Sequence, residues 1–446
     1  MNFRQKEKLF KYLARHFDSM DYPPIILWKP IKRELIKKAW RHRVKKIING
    51  ALDYPGLYIH IPYCQTKCFF CKFKVRVGNS GKMLNRYLKY LKNEIEEFSP
   101  LLKKVPFKTL YLAGGTPTIF SAHQLDALFT LLEEKFNLIE TSQRLIEATP
   151  ATLSLEKLRV LKKHGINRLT IGIQVLDKKL LTAINRRNQT EKTVRSCYNQ
   201  ARQVGIKIIN IDLVVGLPGQ TAASFLKDVN FVLQLRPDAI HIFSYEEEDL
   251  VIFYMMGKRI TDKDRTKRDQ MLELADGEIR KYGYRSYRGE AYLLSPGAAN
   301  FQFQYRYSVN GSLLGLGAEA LSYIPGYYAY ENFKTEEYLN YGDKDQFPPY
   351  LNGYPLNKDE TCTNYIINNI RDGLDKTIFR RLYRVDFNKT FRKEINFLKR
   401  LGKLQESRER IRLIARSDFE FRTYSKFFFS PRIIKELKAA VKARNK

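Results

Sequence analysis

Cysteine is scarce in this chain: five residues in 446, an odd number. That scarcity excludes the disulfide framework that holds short secreted domains together. Long apolar runs are missing too. No stretch reaches the roughly 18 residues a membrane-crossing helix needs, and the opening Met1-Asn2-Phe3-Arg4-Gln5-Lys6-Glu7-Lys8 lacks the apolar centre of a secretory signal. These features predict a protein of the reducing cytoplasm. Acidic residues are few, 47 against 79 Lys and Arg, which leaves a formal net charge of +32. Such a field favours polyanions, anionic membrane surfaces or small substrates with several carboxylates. The excess reads as spread along the chain, with 14 Lys/Arg against 4 Asp/Glu in residues 1–50 and a basic remainder. A hydrophobic content of 44% beside 28% charged residues excludes general disorder, and the length allows two or three domains.

Three of the five cysteines nevertheless fall within eight residues. Cys64, Cys68 and Cys71 form a C-x3-C-x2-C run directly after the apolar stretch Leu57-Tyr58-Ile59-His60-Ile61-Pro62, whereas Cys197 and Cys362 are isolated. The isolated pair fit small buried hydrophobes. Three thiolates on one loop suit three irons of a [4Fe-4S] cluster, which normally takes four cysteines, so one iron stays open to another ligand. Structural zinc is the competing reading, but it usually takes two ligand pairs, and only His60 lies near enough to be a fourth donor. The spacing favours the cluster.

From Leu57 onward, short β-rich runs alternate with helical stretches. The strand candidates are Leu57–Pro62, Thr109–Gly115, Arg144–Pro150, Arg168–Gln174, Lys207–Pro218 and Ala239–Tyr245; the helices between and after them include Lys82–Phe98, Gln124–Lys135, Leu155–His164, Glu191–Val204, Ala222–Leu235 and Asp262–Tyr282. Alternation of this kind implies parallel βαβ units, and six in series predict a partial (β/α)6 barrel rather than the complete eight-fold one. The expected organisation is a basic helical extension over 1–50, an α/β barrel core over 51–290, and a region over 291–446 that ends in a smaller, mainly helical domain. In such folds chemistry sits at the carboxyl ends of the strands. There the chain places the cysteine loop, Gly114-Gly115-Thr116-Pro117, Glu147, Gln174 and Asp212. Each alone has a plainer reading, as a turn or a helix cap; their convergence favours a ligand. Arg186 sits in Asn185-Arg186-Arg187-Asn188, where a solvated basic turn is the plainer reading, and His164 and His241 read as structural.

The run from Leu57 to Cys64, with Cys68 and Cys71, resembles the radical S-adenosylmethionine (SAM) superfamily. More narrowly, the chain is similar to the oxygen-independent coproporphyrinogen III oxidase family, which includes the heme chaperone HemW. Further segments match that family in order: Leu110–Thr118, Glu147-Ala148-Thr149-Pro150, Arg168–Gln174, Asn210–Thr221 and Tyr365–Leu374. The resemblance implies a radical SAM barrel whose open iron chelates SAM, with reductive cleavage of SAM to a 5′-deoxyadenosyl radical. It also implies site roles. Cys64, Cys68 and Cys71 would bind the metal, and Tyr58 would pack near the adenosyl group or the cluster. Gly114, Gly115 and Thr116 would meet the methionine moiety through backbone amides aimed at its carboxylate. Glu147, Gln174, Arg186 and Asp212 would supply the remaining polar contacts. The implied partners are a tetrapyrrole or heme, as substrate or cargo, and an electron donor such as flavodoxin or ferredoxin. Two alternatives stay open: a heme chaperone without oxidase activity, and a methyltransferase or heme-degrading relative that uses two SAM molecules.

The chain departs from the family pattern in places. The oxidase carries a further cysteine two positions after the third, where this chain has Phe73; around Asn300–Tyr307 the chain has neither the His nor the Trp of the His-Asn-x-x-Tyr-Trp segment usual in HemW-type sequences. Trp28 and Trp40 stand among Lys and Arg in residues 1–50, so that arm could contact nucleic acid or an anionic membrane. A solvated helical face is the favoured reading.

Overall fold

The computed structural model describes residues 2–16, 22–187, 189–245, 261–287, 291–308, 311–415 and 418–444. Asn188 of the turn named above lies outside the described residues. The chain begins with α1 (Phe3–His16), β1 (Lys29–Lys32) and α2 (Arg33–Ile48). Next comes β2 (Gly56–Ile61), then the two-residue strands β3 (Tyr63–Cys64) and β4 (Arg76–Val77), which bracket the cysteine loop. The regular alternation follows: α3 (Gly81–Leu102), β5 (Phe107–Gly114), α4 (Ala122–Lys135), β6 (Leu138–Ala148), α5 (Leu155–Lys163), β7 (Arg168–Gln174), α6 (Lys178–Ala183), α7 (Glu191–Gln203), β8 (Ile208–Val215), α8 (Ala222–Leu235), β9 (Ala239–Ser244) and α9 (Asp262–Lys281).

Strands β2, β5, β6, β7, β8 and β9 lie side by side in sequence order, all parallel. This is the expected six-unit arrangement. β7, Arg-Leu-Thr-Ile-Gly-Ile-Gln, is buried over its first six residues, as a strand covered on both faces must be. Leu57, Ile59, Leu110, Leu112, Ile146, Leu169, Ile171, Ile209 and Ile211 turn outward onto the helices and form one core with residues of α3, α4, α7 and α8. The alternate residues face the barrel interior. Helix starts are fixed by local chemistry, with side-chain caps at Ser121, Ser154, Asp177, Thr190 and Thr221.

The sheet continues on both sides of the barrel. Beyond β9 run β10 (Arg285–Tyr287) and β11 (Ala291–Leu293). Helix α10 (Phe301–Ser308) follows, then β12 (Leu313–Leu316), β13 (Leu321–Ile324), β14 (Tyr328–Glu331), α11 (Thr335–Gly342) and β15 (Tyr350–Pro355). β12 pairs parallel with β2, while β13, β14, β15 and β1 extend it antiparallel. The tyrosine-rich stretch 323–354 is therefore sheet on either side of α11, a feature the alternation pattern did not single out. A last module holds α12 (Lys358–Asn369), α13 (Lys376–Tyr383), α14 (Phe387–Thr390), α15 (Arg392–Arg400), α16 (Asp418–Ser425) and α17 (Pro431–Arg444), with a small antiparallel sheet of β16 (Leu374–Asp375), β17 (Leu404–Glu406) and β18 (Arg410–Leu413).

Residues 1–50, expected as a basic helical extension, are tied into the rest of the fold. α1 packs into the core of the last module, where Phe3 stacks on Phe397 at 4.6 Å and Phe10 meets Phe427 edge-on at 5.0 Å. β1 forms the sheet edge against β15. Trp40 is 1% exposed and donates to Tyr330 Oη at 2.8 Å; the indole of Trp28 donates to the Pro23 carbonyl at 2.9 Å. Neither ring offers a stacking platform to nucleic acid. The basic excess is also less even than composition implied, because residues 357–446 hold 24 Lys/Arg against 11 Asp/Glu. Among the described residues no helix is long and apolar enough to cross a membrane.

Candidate active site

Strand register decides which side chains share the barrel interior. Tyr58 pairs with Tyr111, and Tyr111 with Leu145, so Glu147 two residues on shares their face. Glu147 pairs with Thr170, Thr170 with Asn210, Gly172 with Asp212, and Asp212 with His241. The predicted acids thus converge, and they bring Tyr111, Asn210 and His241 with them. Sequence reading passed over these three, treating His241 as structural. Their signal was parity: each lies on the same face of its strand as a flagged neighbour.

The interior is polar and hydrogen-bonded. Tyr111 donates its hydroxyl proton to Glu147 Oε1, and Asn210 Nδ2 donates to Asp212 Oδ1 at 2.6 Å. Burial pushes the Glu147 carboxyl up to about 7, with the Asp212 charge adding to the rise and the Tyr111 hydrogen bond opposing it. Asp212 is raised as well, by burial, against the pull of His241 and Asn210. Glu147, Gln174 and Asp212 do not cap the following helices, since Ser154, Asp177 and Thr221 do. Their polar atoms are left for the interior. Gln174 stands at φ +72° and its Oε1 is buried without a hydrogen-bond partner, which marks a place for a ligand donor. A Cβ on Gly172 would lie 2.8 Å from Gln174 Nε2, so a side chain there would displace the Gln174 amide.

The cysteine loop closes the same end of the barrel. Phe70 packs with Val175, Leu180, Leu217 and Tyr245, Phe69 N donates to the Ile184 carbonyl at 3.2 Å, and Asn185 Nδ2 donates to the Lys67 carbonyl at 3.1 Å. Arg186 Nη1 is held by the carbonyls of Gly172 and Ile173 at 2.9 and 3.1 Å. Its charge favours the thiolates of Cys64 and Cys71 and the ionised form of Asp212. Arg186 is therefore anchored between the loop and the interior, not a solvated turn residue.

The three thiols fit the implied cluster better than zinc. Burial pushes the Cys64 thiol up to about 11 and raises Cys71; such thiols become thiolates at neutral pH only against a cation. His60, weighed as a fourth zinc donor, is committed elsewhere. Its Nδ1 hydrogen-bonds Tyr58 Oη at 2.7 Å, and a Cβ on Gly114 would lie 2.7 Å from its Nε2. Burial lowers its pKa to about 4.

Two expected roles change. The amides of Gly115 and Thr116 donate to the carbonyls of Ile61 and Tyr63 at 2.7 and 2.8 Å, so they are not aimed at a ligand carboxylate. Their task is to fasten the end of β5 to the start of the cysteine loop: a Cβ on Gly115 would lie 2.5 Å from the Tyr63 carbonyl oxygen, and Thr116 Oγ1 is 3.4 Å from Cys64 Sγ. Tyr58 lies below the strand ends and packs edge-on against Tyr111 at 5.7 Å. It supports His60 from beneath.

The floor of the barrel is filled by the segment that stands in place of the His-Asn-x-x-Tyr-Trp stretch. Gln143 donates to the Ala299 carbonyl and accepts from Phe301 N, both at 2.9 Å; Arg168 donates to the Ala298 carbonyl; Phe303 meets Tyr111 edge-on at 6.1 Å. Asn300 accepts from the amides of Gln302 and Phe303. Here the segment is a plug.

Glu147 carries a prediction with a definite sign. Its folded carboxyl titrates near 7 rather than 4.5, so the fold favours the protonated form. Stability tied to this group is full below pH 4.5 and is lost as pH rises through 7. Glu147→Gln should therefore stabilise the cofactor-free protein at pH 8, by at most about 3 kcal/mol, and have little effect near pH 4. Urea unfolding at the two pH values checks this.

Comparison with known proteins agrees with the geometry. Residues 58–232 match the Radical SAM superfamily. The chain is 29% identical over 363 residues to an oxygen-independent coproporphyrinogen III oxidase of Escherichia coli, covering 78% of this chain and 79% of that one. It is 31% identical over 271 residues to the heme chaperone HemW of Lactococcus lactis, covering 60% of this chain and 69% of that one. The solved structure of coproporphyrinogen III oxidase (HemN) from Escherichia coli superposes with a TM-score of 0.78 at 25% identity, over 93% of this chain and 97% of that one. A thiol triad, a polar interior and sequence likeness over most of both chains lead to one family: the chain belongs to the radical SAM family of oxygen-independent coproporphyrinogen III oxidases and HemW-type heme chaperones.

Proposed function

We propose that this protein is a cytoplasmic radical SAM enzyme that acts on or handles a propionate-bearing tetrapyrrole, with flavodoxin or ferredoxin as electron donor. Family membership brings a [4Fe-4S] cluster and SAM as cofactors. The observation that carries the reading is the meeting, at one end of the barrel, of three thiols with the buried Glu147–Asp212 pair. When both cofactors are bound they supply reductive cleavage of the S–C5′ bond of SAM, and with it a carbon radical that takes hydrogen from a substrate.

The chain's own residues orient and exclude. Glu147 accepts from Tyr111 through Oε1, which leaves Oε2 for a hydroxyl or amine of the nucleotide. Gln174 Oε1 is an acceptor awaiting a donor. Arg186, anchored through Nη1, turns its other N–H groups toward anionic groups such as a carboxylate. The stack of Tyr58, Tyr111 and Phe303 keeps water from entering from beneath.

The comparisons support a tetrapyrrole because the similar proteins are named for coproporphyrinogen III and for heme. Phe73, where the oxidase has a further cysteine, favours a second reading: heme handling without oxidation. One experiment separates them. Protein rebuilt anaerobically with iron and sulfide is given SAM, dithionite and either coproporphyrinogen III or heme. We expect 5′-deoxyadenosine and a changed tetrapyrrole. Stoichiometric heme binding without a changed product supports the second reading, and no 5′-deoxyadenosine under any condition overturns the enzymatic one.

A further inference from the structure

Acidic residues vanish from the chain around the thiols. None occurs between Asp53 and Glu94, while Lys67, Lys72, Lys74, Arg76, Lys82, Arg86, Lys89 and Lys92 all fall in that interval. The fold divides these cations into two groups. On the α3 flank, Arg76 pairs with Glu336 at 2.5 Å, Arg86 bonds Asp343, and Lys89 meets Asp345 at 3.3 Å. Lys67, Lys72 and Lys74 belong to the cysteine loop itself, where Lys67 Nζ donates to the Phe73 carbonyl at 3.1 Å.

Apolar surface stands exposed among these lysines. Phe73 is 56% exposed and Val77 57%. Leaving a phenylalanine ring in water forgoes about 2 kcal/mol of burial, and folding gains nothing from it here. Each of the two side chains adjoins a thiol: Phe73 follows Cys71 by two residues, and Val77 is the register partner of Cys64. Phe70 of the same loop is turned inward against Val175 and Leu180. The loop therefore has an inner side that faces the barrel and an outer side that is apolar in the middle and basic around it.

We propose that this outer face, Phe73 and Val77 rimmed by Lys67, Lys72 and Lys74, is the docking site of an acidic one-electron carrier protein. The inference rests on the radical SAM reading above and adds where its reductant binds. An apolar centre within a charged rim is the anatomy of a transient protein interface, and a basic rim steers and selects an acidic partner. With flavodoxin as carrier, the anionic flavin hydroquinone loses one electron and no proton, becoming the neutral semiquinone. The thiol-held centre gains that electron, and no bond is made or broken between the two proteins. Phe73, standing where the oxidase has a cysteine, is then the contact nearest the path.

The test is binding of fluorescently labelled flavodoxin to the anaerobically rebuilt protein, read by anisotropy at low and high salt. We expect saturable binding that weakens about tenfold between the two salt levels. The pair Lys72→Glu and Lys74→Glu should weaken it at least tenfold, and Phe73→Ser severalfold. A control pair with the same charge change, Lys435→Glu and Lys438→Glu on exposed α17 positions, should bind as the parent does. Loop variants that bind like the parent, or a control that loses as much, overturn the docking face. Iron content per chain shows that the loop variants still load. Dithionite-driven release of 5′-deoxyadenosine by the parent is scored separately, so its failure indicts the radical SAM reading and not the docking face.

Discussion

Cys68→Ala, rebuilt under the same anaerobic conditions as the parent, should lose the iron–sulfur chromophore and release no detectable 5′-deoxyadenosine. Cys68 is the middle cysteine of the triad, and the turn it starts is closed by Cys71 N donating to its carbonyl at 3.0 Å. Two remaining thiols cannot hold a cube that normally takes four ligands and here has three. The loss should be specific to the metal. The loop is anchored on the barrel by Phe70, the Phe69 amide and Asn185, none of which the substitution touches, so the cofactor-free unfolding midpoint should match the parent's. Cys197→Ala is the contrast: that thiol is 6% exposed inside the α7 core, and its replacement should leave the chromophore intact. A Cys68→Ala protein that still cleaves SAM would remove the cluster assignment altogether.

Arg33→Met should destabilise the fold by about 3–5 kcal/mol, the cost of stranding a buried charge. Arg33 is 5% exposed and reaches Glu97 with Nε at 3.0 Å and Nη2 at 2.5 Å, with Glu94 at 3.6 Å. Glu94 is 1% exposed. It accepts from the Gly317 amide at 2.7 Å, from Asn332 at 2.8 Å and from Tyr338 at 2.9 Å. This network binds α3 to the turn between β12 and β13. The same turn meets the end of β2, for Tyr87 donates to the His60 carbonyl at 2.6 Å and accepts from Ala318 N at 3.1 Å. Burial already raises the Glu94 carboxyl against the pull of Arg33, and without the guanidinium it rises further. A raised carboxyl loses stability as pH climbs, so the deficit should be larger at pH 8 than at pH 5. Adding Glu94→Gln should recover part of it. Chemical unfolding of the three proteins at both pH values is the check, and a deficit that does not depend on pH would show that packing loss, not the stranded carboxylate, dominates.

These two cases mark the range of what local pattern reveals. The cysteine triad was legible because its residues are close in sequence and rare in composition. The six parallel strands were legible too, since each is a continuous apolar run followed by a capped helix. The α8 range Ala222–Leu235 and the β7 range Arg168–Gln174 coincide with the expected bounds. Glu147, Gln174 and Asp212 were found as strand-end polar residues, yet what each does there was not. The roles first given to the Gly115 and Thr116 amides failed because hydrogen-bond partners at the end of the neighbouring strand are invisible to a local motif.

The region after the barrel was least legible. β12 to β15 are short and glycine- or tyrosine-rich, and they pair with a strand from residues 29–32. Only the register shows that they form sheet, because strands this short leave little local period and β15 takes its second partner from residues 29–32. For the same reason residues 1–50 read only as a basic helical extension. Phe3, Phe10, Trp28 and Trp40 are apolar contacts whose partners lie in the last 120 residues.

Sequence alone determined the three-cysteine loop, the order of the barrel strands and the surplus of positive charge, since each follows from neighbouring residues or simple composition. Only the tertiary structure decided that Tyr111, Asn210 and His241 join the acids, that Arg186 is held between thiols and interior, and that Phe73 faces outward beside the loop lysines. The reason is geometric: side-chain direction alternates along each strand, but which alternate faces meet is set by register and closure between distant strands.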